Sequence, residues 1–450
     1  MGKLFGTDGI RGIANKQLTP ELAFDLGRAG AYVLTKSTNH SPKIIIGMDT
    51  RISGDMLAAA LTAGMCSVGA TVYSAGVVPT PAVAYLTRKY GLDAGVVISA
   101  SHNPFQDNGI KFFSGNGYKL PDALENEIEG YMLEKTSELP RPIGEKVGRS
   151  EICTNATDDY VKFLGSAVDN ISLSGMKIAL DCANGATYIA APIIFKQLGA
   201  EVFLMGNEPN GVNINHDCGS THVNALSKFI KETNADVGFA FDGDGDRCFA
   251  VDESGKVVEG DEIMTILGHQ MKKSGKLAND TIVATVMSNL GLTLMGKEHG
   301  ITIERTNVGD RYVLERMIEG GFTLGGEQSG HIILLEHNPT GDGILTALKL
   351  CSIIKSEGKP LSQLNNLMTI LPQVLINAKV APEKKNDYLT DETIISEIKR
   401  IEEKFENEGR VLIRPSGTEP MVRVMIEGKD QNIIETEAKS LAEKIEKLFG

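Results

Sequence analysis

Cysteine is scarce and scattered in this 450-residue chain. The six cysteines, Cys66, Cys153, Cys182, Cys218, Cys248 and Cys351, form no C-x-x-C pair. Their spacing argues against a zinc ribbon and against a disulfide framework, and small core or near-core thiols are expected instead. No apolar run approaches the roughly 18 residues needed to span a membrane, so no membrane partner is expected. Residues Met1 to Arg11 are glycine-rich and polar, without the apolar region of a signal peptide, which makes the cytoplasm the expected location. Cations are in deficit: 45 Lys and Arg against 58 Asp and Glu leave a net charge of −13. That balance argues against a protein that holds nucleic acid through its overall charge. No repeat of about 20–50 residues and no low-complexity tract is visible. The 42% hydrophobic and 23% charged fractions are those of an ordinary globular chain able to bury several cores.

What is present is a rhythm of short apolar strands and amphipathic helices. Thr19-Pro20-Glu21 opens the first helix, with Thr19 as N-cap and Pro20 at the first helical position. Residues 44–46 and 71–77 read as strands and 55–69 and 80–90 as helices. Ala94–Ile98 reads as a strand running into Ser99-Ala100-Ser101. The alternation predicts a parallel or mostly parallel sheet. After a polar linker near 140–155 the rhythm restarts, running from strand 177–180 to strand 237–241. It restarts again with a helix near Asp261, a strand over 281–287 and helices over 312–318 and 343–354. From about residue 370 it becomes strand, charged helix (391–407), two strands around Arg414 and an amphipathic helix (431–448). Four units are expected: α/β units over 1–150, 151–253 and 254–368, and an α+β unit over 369–450.

The strongest local signal is Asp242-Gly243-Asp244-Gly245-Asp246-Arg247, directly after a buried strand. Open α/β sheets place their ligands at such strand ends. Alternating carboxylates fall on one face of an extended segment, and the two glycines let it bend so that all three reach one cation. An oxygen-only donor set favours Mg²⁺ over zinc. An EF-hand also begins D-x-D-x-D, and Glu253 falls at its twelfth position, but Arg247 stands where glycine is needed and strands flank the loop. A phosphatase-type loop would need Thr or Val in place of Asp246.

Four more loops carry chemistry. Ser99-Ala100-Ser101-His102-Asn103-Pro104 also follows a strand, and a serine there can accept a phosphoryl group. Side chains of the adjacent Ser101 and His102 are expected to diverge, unlike a hydrolase Ser–His pair. No G-x-S-x-G elbow is present. Arg414-Pro415-Ser416-Gly417-Thr418-Glu419-Pro420, with Arg423 beyond, can wrap a phosphate with guanidinium, hydroxyl and backbone N–H donors, although it is no P-loop. Gly325-Gly326-Glu327-Gln328-Ser329-Gly330-His331 offers side chains suited to hydroxyl or amine recognition, and Phe5–Gly12 frames Arg11 with glycines.

In this order, and over essentially the whole chain, the five loops resemble those of the α-D-phosphohexomutase family. The resemblance implies a phosphoserine at Ser101, a magnesium loop of Asp242, Asp244 and Asp246 completed by Ser101, a sugar-recognition loop with Glu327 and Ser329, and a phosphate-binding loop from Arg414 to Thr418. It implies four domains around a central active-site cleft, three sharing a mixed α/β core and a smaller α+β fourth. The Phe5–Gly12 and Gly325–His331 loops are most similar to those of members acting on glucosamine phosphates. That implies interconversion of glucosamine 6-phosphate and glucosamine 1-phosphate through a bisphosphate, on the route to UDP-N-acetylglucosamine and the bacterial cell wall. Lys111 is the implied base toward the sugar hydroxyl, which needs a lowered pKa, and Arg247 adds charge at the transferring phosphate. Arg11 and His102 are further candidate catalytic residues, and His331 a substrate ligand. A sugar phosphate is the expected partner, a sugar bisphosphate the activator, and a kinase acting on Ser101 a candidate partner. The net negative charge requires a local basic cleft made from Arg11, Lys111, Arg247, His331, Arg414, Arg423 and the cation. Rival readings are a phosphomannomutase or phosphoglucomutase of the same family, and a magnesium-dependent sugar phosphatase that dispenses with Ser101.

Overall fold

The computed structural model describes residues 4–6, 8–36, 38–405, 408–416 and 419–450. They group into two compact units, one of Met1–Met287 with Ile303–Asn366, the other of Ser288–Thr302 with Leu367–Gly450.

The first unit holds three sheets. In the first, Lys43–Met48 lies between Thr71–Val77 and Ala94–Ile98, parallel to both. In the second, Lys177–Asp181 lies between Glu201–Met205 and Val237–Phe241, again parallel to both. In the third, Thr281–Thr285 lies between Thr302–Thr306 and Leu324–Gly326, parallel to the latter. The strands Ala94–Ile98, Val237–Phe241 and Thr281–Thr285 are buried at every residue, as parallel strands covered by helices on both faces must be.

The expected parallel order holds among the pairings just given, and each sheet is mixed because a fourth strand turns back on the third. Asp107–Ser114 pairs antiparallel with Ala94–Ile98, Cys248–Asp252 with Val237–Phe241, and Ile332–Leu334 with Leu324–Gly326. The Ser101 loop, the aspartate loop and the Glu327 loop thus occupy the same topological place, the turn between third and fourth strands. This is a threefold repeat of topology without a repeat of residues, and so it leaves no period in the sequence.

The stretch near 140–155 is not only a linker. Its residues Arg149–Ile152 form the edge strand of the first sheet, parallel to Thr71–Val77. At the opposite edge Ile10–Ile13 pairs with Asp107–Ser114. The Thr19 hydroxyl caps the helix Pro20–Thr35 by accepting from the Leu22 N–H at 3.2 Å. The first sheet's core joins Ile44, Ile46, Val96 and Ile98 to Leu26, Leu57 and Leu61.

The second unit is a three-stranded antiparallel sheet with Met421–Glu427 central, flanked by Gln373–Lys379 and Arg410–Pro415. Helices Glu392–Lys404 and Gln431–Phe449 share its core through Ile394, Ile401, Val424, Ile426 and Leu441. Helix Leu290–His299 belongs to this unit. The Asn289 side chain exchanges two hydrogen bonds of 3.0 Å with the Leu371 backbone, and Arg410 donates to the Ser288 carbonyl at 2.7 Å. Among the described residues no helix is long and apolar enough to cross a membrane.

Candidate active site

Ser101 is 2% exposed and adopts φ 52°, a left-handed conformation uncommon outside glycine. This geometry directs Oγ to Asp242, where it donates to Oδ2 at 2.5 Å. It also brings Oγ within 3.3 Å of His102 Nδ1. The expected divergence of the two side chains is thereby corrected, because a left-handed residue breaks the alternation of an extended segment. His102 Nδ1 lies 3.2 Å from Arg247 Nη1. Burial, then Arg247 and Arg11, lowers the His102 pKa, which favours the neutral ring.

Asp242, Asp244 and Asp246 each place a carboxylate oxygen within 4.8 Å of the others, and all three are buried. Oδ1 of Asp244 and Oδ1 of Asp246 are buried with no hydrogen-bond partner. Burial, then Asp246 and Asp244, pushes the Asp242 pKa well above the carboxylate range. Three converging carboxylates with orphaned oxygens and no sulfur or nitrogen donor form a site that fits a hard divalent cation. The glycines between them have distinct causes. A Cβ on Gly243 would lie 2.5 Å from the Ser101 carbonyl oxygen, and Gly245 adopts φ 72°.

Lys111 stands on the returning strand opposite Val97. It is 2% exposed, 3.1 Å from Asp244 and 3.0 Å from Asp8. Burial alone would lower its pKa, but Asp244, Asp8 and Asp246 outweigh it and hold the pKa above the ordinary lysine range. Lys111 is thus ion-paired at the edge of the aspartate cluster, beside the wall that carries Ser101. The Thr80 hydroxyl donates to Asp244 at 2.8 Å. Burial would raise the Asp244 pKa, and Lys111 and Thr80 instead draw it below the usual range.

The Glu327–His331 turn closes against the aspartate loop through a bridge between Arg247 and His331. His331 lies between Asp246 and Asp310, 3.5 Å from each. The Gly341 N–H donates to its Nε2 at 3.0 Å, which leaves the Nδ1 proton for Asp246. Glu327 accepts from the Gly309 N–H at 3.2 Å. The Ser329 hydroxyl is buried without a hydrogen-bond partner.

A cavity of about 410 Å³ is lined by Arg11, Ser101, Asp246, Arg247, Glu327 and His331, together with Asp8, Asp122, Asp310 and Arg311. The expected basic cleft is therefore corrected for this unit. Arginines and carboxylates line the cavity together, and most are paired: Arg11 with Asp8, Arg311 with Asp122.

In the second unit Arg414 and Arg423 are direct cross-strand partners. Opposed like charges destabilise a sheet, and an anion between them relieves that repulsion. Ser416 Oγ accepts from the Glu419 N–H at 3.2 Å. Gly417 and Thr418 lie outside the described residues.

Sequence reasoning passed over Thr80, Asp8, Lys119 and Asp310. Lys119 pairs with both Asp8 and Asp310. An alternating chain of charge therefore runs from Asp244 through Lys111, Asp8 and Lys119 to Asp310. Asp8 stood within the glycine-framed motif and Thr80 at a helix start beyond a strand. Those positions were the only signals.

Family models match all four parts of the chain: phosphoglucomutase/phosphomannomutase α/β/α domain I over residues 2–139, domain II over 158–255, domain III over 259–370, and the C-terminal domain over 375–444. The chain belongs to the phosphoglucomutase/phosphomannomutase family. As a phosphohexomutase it is an isomerase that moves a phosphoryl group within a sugar phosphate. The phosphoglucosamine mutase of Acetivibrio thermocellus is 61% identical over 450 residues, 100% of each chain. That of Clostridium acetobutylicum is 59% identical over 447 residues, 99% of each. A phosphohexomutase fold is also seen in a Burkholderia thailandensis phosphoglucomutase/phosphomannomutase family protein, with TM-score 0.79, 24% identity and coverage of 98% and 97%. Aspergillus fumigatus N-acetylphosphoglucosamine mutase, in complex with GlcNAc-6P and magnesium, gives TM-score 0.71 at 17% identity, covering 99% and 96%.

Proposed function

We propose that this phosphohexomutase interconverts glucosamine 6-phosphate and glucosamine 1-phosphate through a phosphoserine at Ser101 and a sugar bisphosphate. The observation that carries the reading is the Ser101 hydroxyl seated on Asp242, in the wall of a cavity that also presents Glu327. Phosphorylated Ser101 gives its phosphoryl group to the free hydroxyl of the bound sugar phosphate. The Oγ–P bond breaks as the sugar O–P bond forms, the hydroxyl's proton goes to Lys111 as the assigned base, and Ser101 ends as a free hydroxyl. The bisphosphate turns end for end and returns its other phosphoryl group to Ser101 Oγ. Asp242, Asp244 and Asp246 would hold Mg²⁺, which would supply positive charge to the phosphoryl group. Arg247 adds a guanidinium on the same wall. His102, with its pKa lowered, accepts from Arg247 at Nδ1 and so keeps that guanidinium beside the serine oxygen. A sugar bisphosphate restores phosphate to an enzyme that has lost it.

Arg414, Arg423, Ser416, Gly417 and Thr418 are assigned to the phosphate that is not being transferred. Arg414→Ala is expected to raise KM for the sugar phosphate and to lower kcat as well, because remote binding energy orients the reacting end. Unchanged steady-state kinetics would remove the loop from the site. Relief of the Arg414–Arg423 repulsion leaves stability unchanged or slightly raised, which thermal unfolding checks.

Glu327 is assigned to the C2 amine. A carboxylate favours a protonated amine over the hydroxyl of glucose or mannose through a charge-assisted hydrogen bond. We expect kcat/KM to be highest for glucosamine phosphate, with slower turnover of glucose and mannose phosphates, since loss of one buried polar contact shifts discrimination strongly. Side-by-side rates on the three substrates, with the same Mg²⁺ and bisphosphate, test this. Equal or better efficiency on glucose or mannose phosphate moves the chain to the neighbouring subtype. Release of inorganic phosphate with full activity in a Ser101 variant makes it a phosphatase.

A further inference from the structure

The Ser101 loop is gripped from two sides, and only one grip comes from its own sheet. Arg51, at the end of strand Lys43–Met48, is 3% exposed and held by Asp49 at 2.8 Å. Its guanidinium donates to the carbonyls of Ser101 at 2.9 Å, Asn103 at 2.8 Å and Asp107 at 3.0 Å. The second grip is Asn215, from the loop between Glu201–Met205 and Asn224–Thr233. Asn215 is 7% exposed, and its Nδ2 donates to the same Ser101 carbonyl at 2.9 Å and the same Asn103 carbonyl at 3.1 Å. Both carbonyls thus have each of their two lone pairs filled, one from Arg51 and one from Asn215.

The aspartate loop is packed against this second grip. A Cβ on Gly243 would lie 2.5 Å from the Ser101 oxygen and 2.8 Å from Asn215 Nδ2. Asn215 therefore sits where the donor loop and the metal loop meet, more than 100 residues from Ser101 in sequence. Its own φ of 59° is one that Asn tolerates well, and its N–H is anchored on the Ala183 carbonyl at 2.8 Å.

We propose that Asn215 is a positioning residue for phosphoryl transfer, holding Ser101 in its left-handed conformation with Oγ directed at Asp242. The inference rests on the reading of Ser101 as the phosphoryl donor. Arg51 remains to keep the loop in place without Asn215, so the expected loss is one of aim more than of fold.

Asn215→Asp and Asn215→Gly test it. Both residues accept the positive φ, and neither supplies the amide donor. Transfer of phosphate from Ser101-phosphorylated enzyme to glucosamine 6-phosphate, followed by intact mass in a single turnover, is expected to slow about 100-fold in both variants. KM should stay within about twofold, and thermal unfolding midpoints should fall by only a few degrees. Amide hydrogen exchange over residues 99–107 should quicken in both. If wild-type enzyme transfers phosphate and both variants match its rate, the positioning role is overturned. If wild-type enzyme transfers none from Ser101, the donor reading fails by itself. Exchange then decides the holding role, and unchanged exchange overturns it.

Discussion

Ser101→Ala is expected to abolish mutase activity, by roughly four orders of magnitude or more, as removal of an attacking group does in enzymes that pass through a covalent intermediate. The fold should survive. Ser101 already occupies a left-handed conformation, and Ala meets about the same backbone cost. The substitution removes one hydroxyl and its bond to Asp242, a single polar contact. Arg51 and Asn215 hold the loop through backbone carbonyls, which the substitution leaves untouched. The measurement is turnover of glucosamine phosphate paired with intact mass. Wild-type enzyme should carry a phosphate that substrate removes, and the variant should carry none. Turnover near wild type in Ser101→Ala would rule out the phosphoserine route.

Metal removal is expected to have the next largest effect. Exhaustive chelation should stop turnover, and added Mg²⁺ should restore it. Asp244→Asn should weaken Mg²⁺ binding severely and depress activity with it. The variant removes one of three buried carboxylates and breaks the Lys111 ion pair at 3.1 Å, so the site loses a ligand charge while the ammonium keeps Asp8. Mg²⁺ affinity measured by titration calorimetry separates these effects from loss of fold. A chelated enzyme that turns over at the original rate would show that the three carboxylates serve another purpose.

Residue types and local order are legible in the chain itself. Strands 71–77, 94–98 and 237–241 coincide with the observed elements, because each is a short apolar run bounded by turn residues. The placement of Ser101 and the aspartates just past buried strands is legible for the same reason. The sequence also carries the family loops at 101, 242, 327 and 414.

Tertiary structure alone decided what those residues touch. Ser101 meets Asp242 across 141 positions, and Lys111 meets Asp244 across 133. Neither separation has a signature in periodicity. Three different sequences fold into the same turn between third and fourth strands, and the hairpin in each sheet is set by which edge the returning strand finds. Lys111 taken alone reads as a solvated surface lysine, and only the family resemblance implies its role as a base. Packing buries it between Asp8 and Asp244, contacts that no local pattern announces. Asn215 and Arg51 carried no motif, since they act through backbone carbonyls of a loop far away in the chain. The sequence by itself determined which groups stand at the strand ends; the stacking of one sheet's loops on another's decided which of them share a site, because burial and charge depend on neighbours that chain order does not specify.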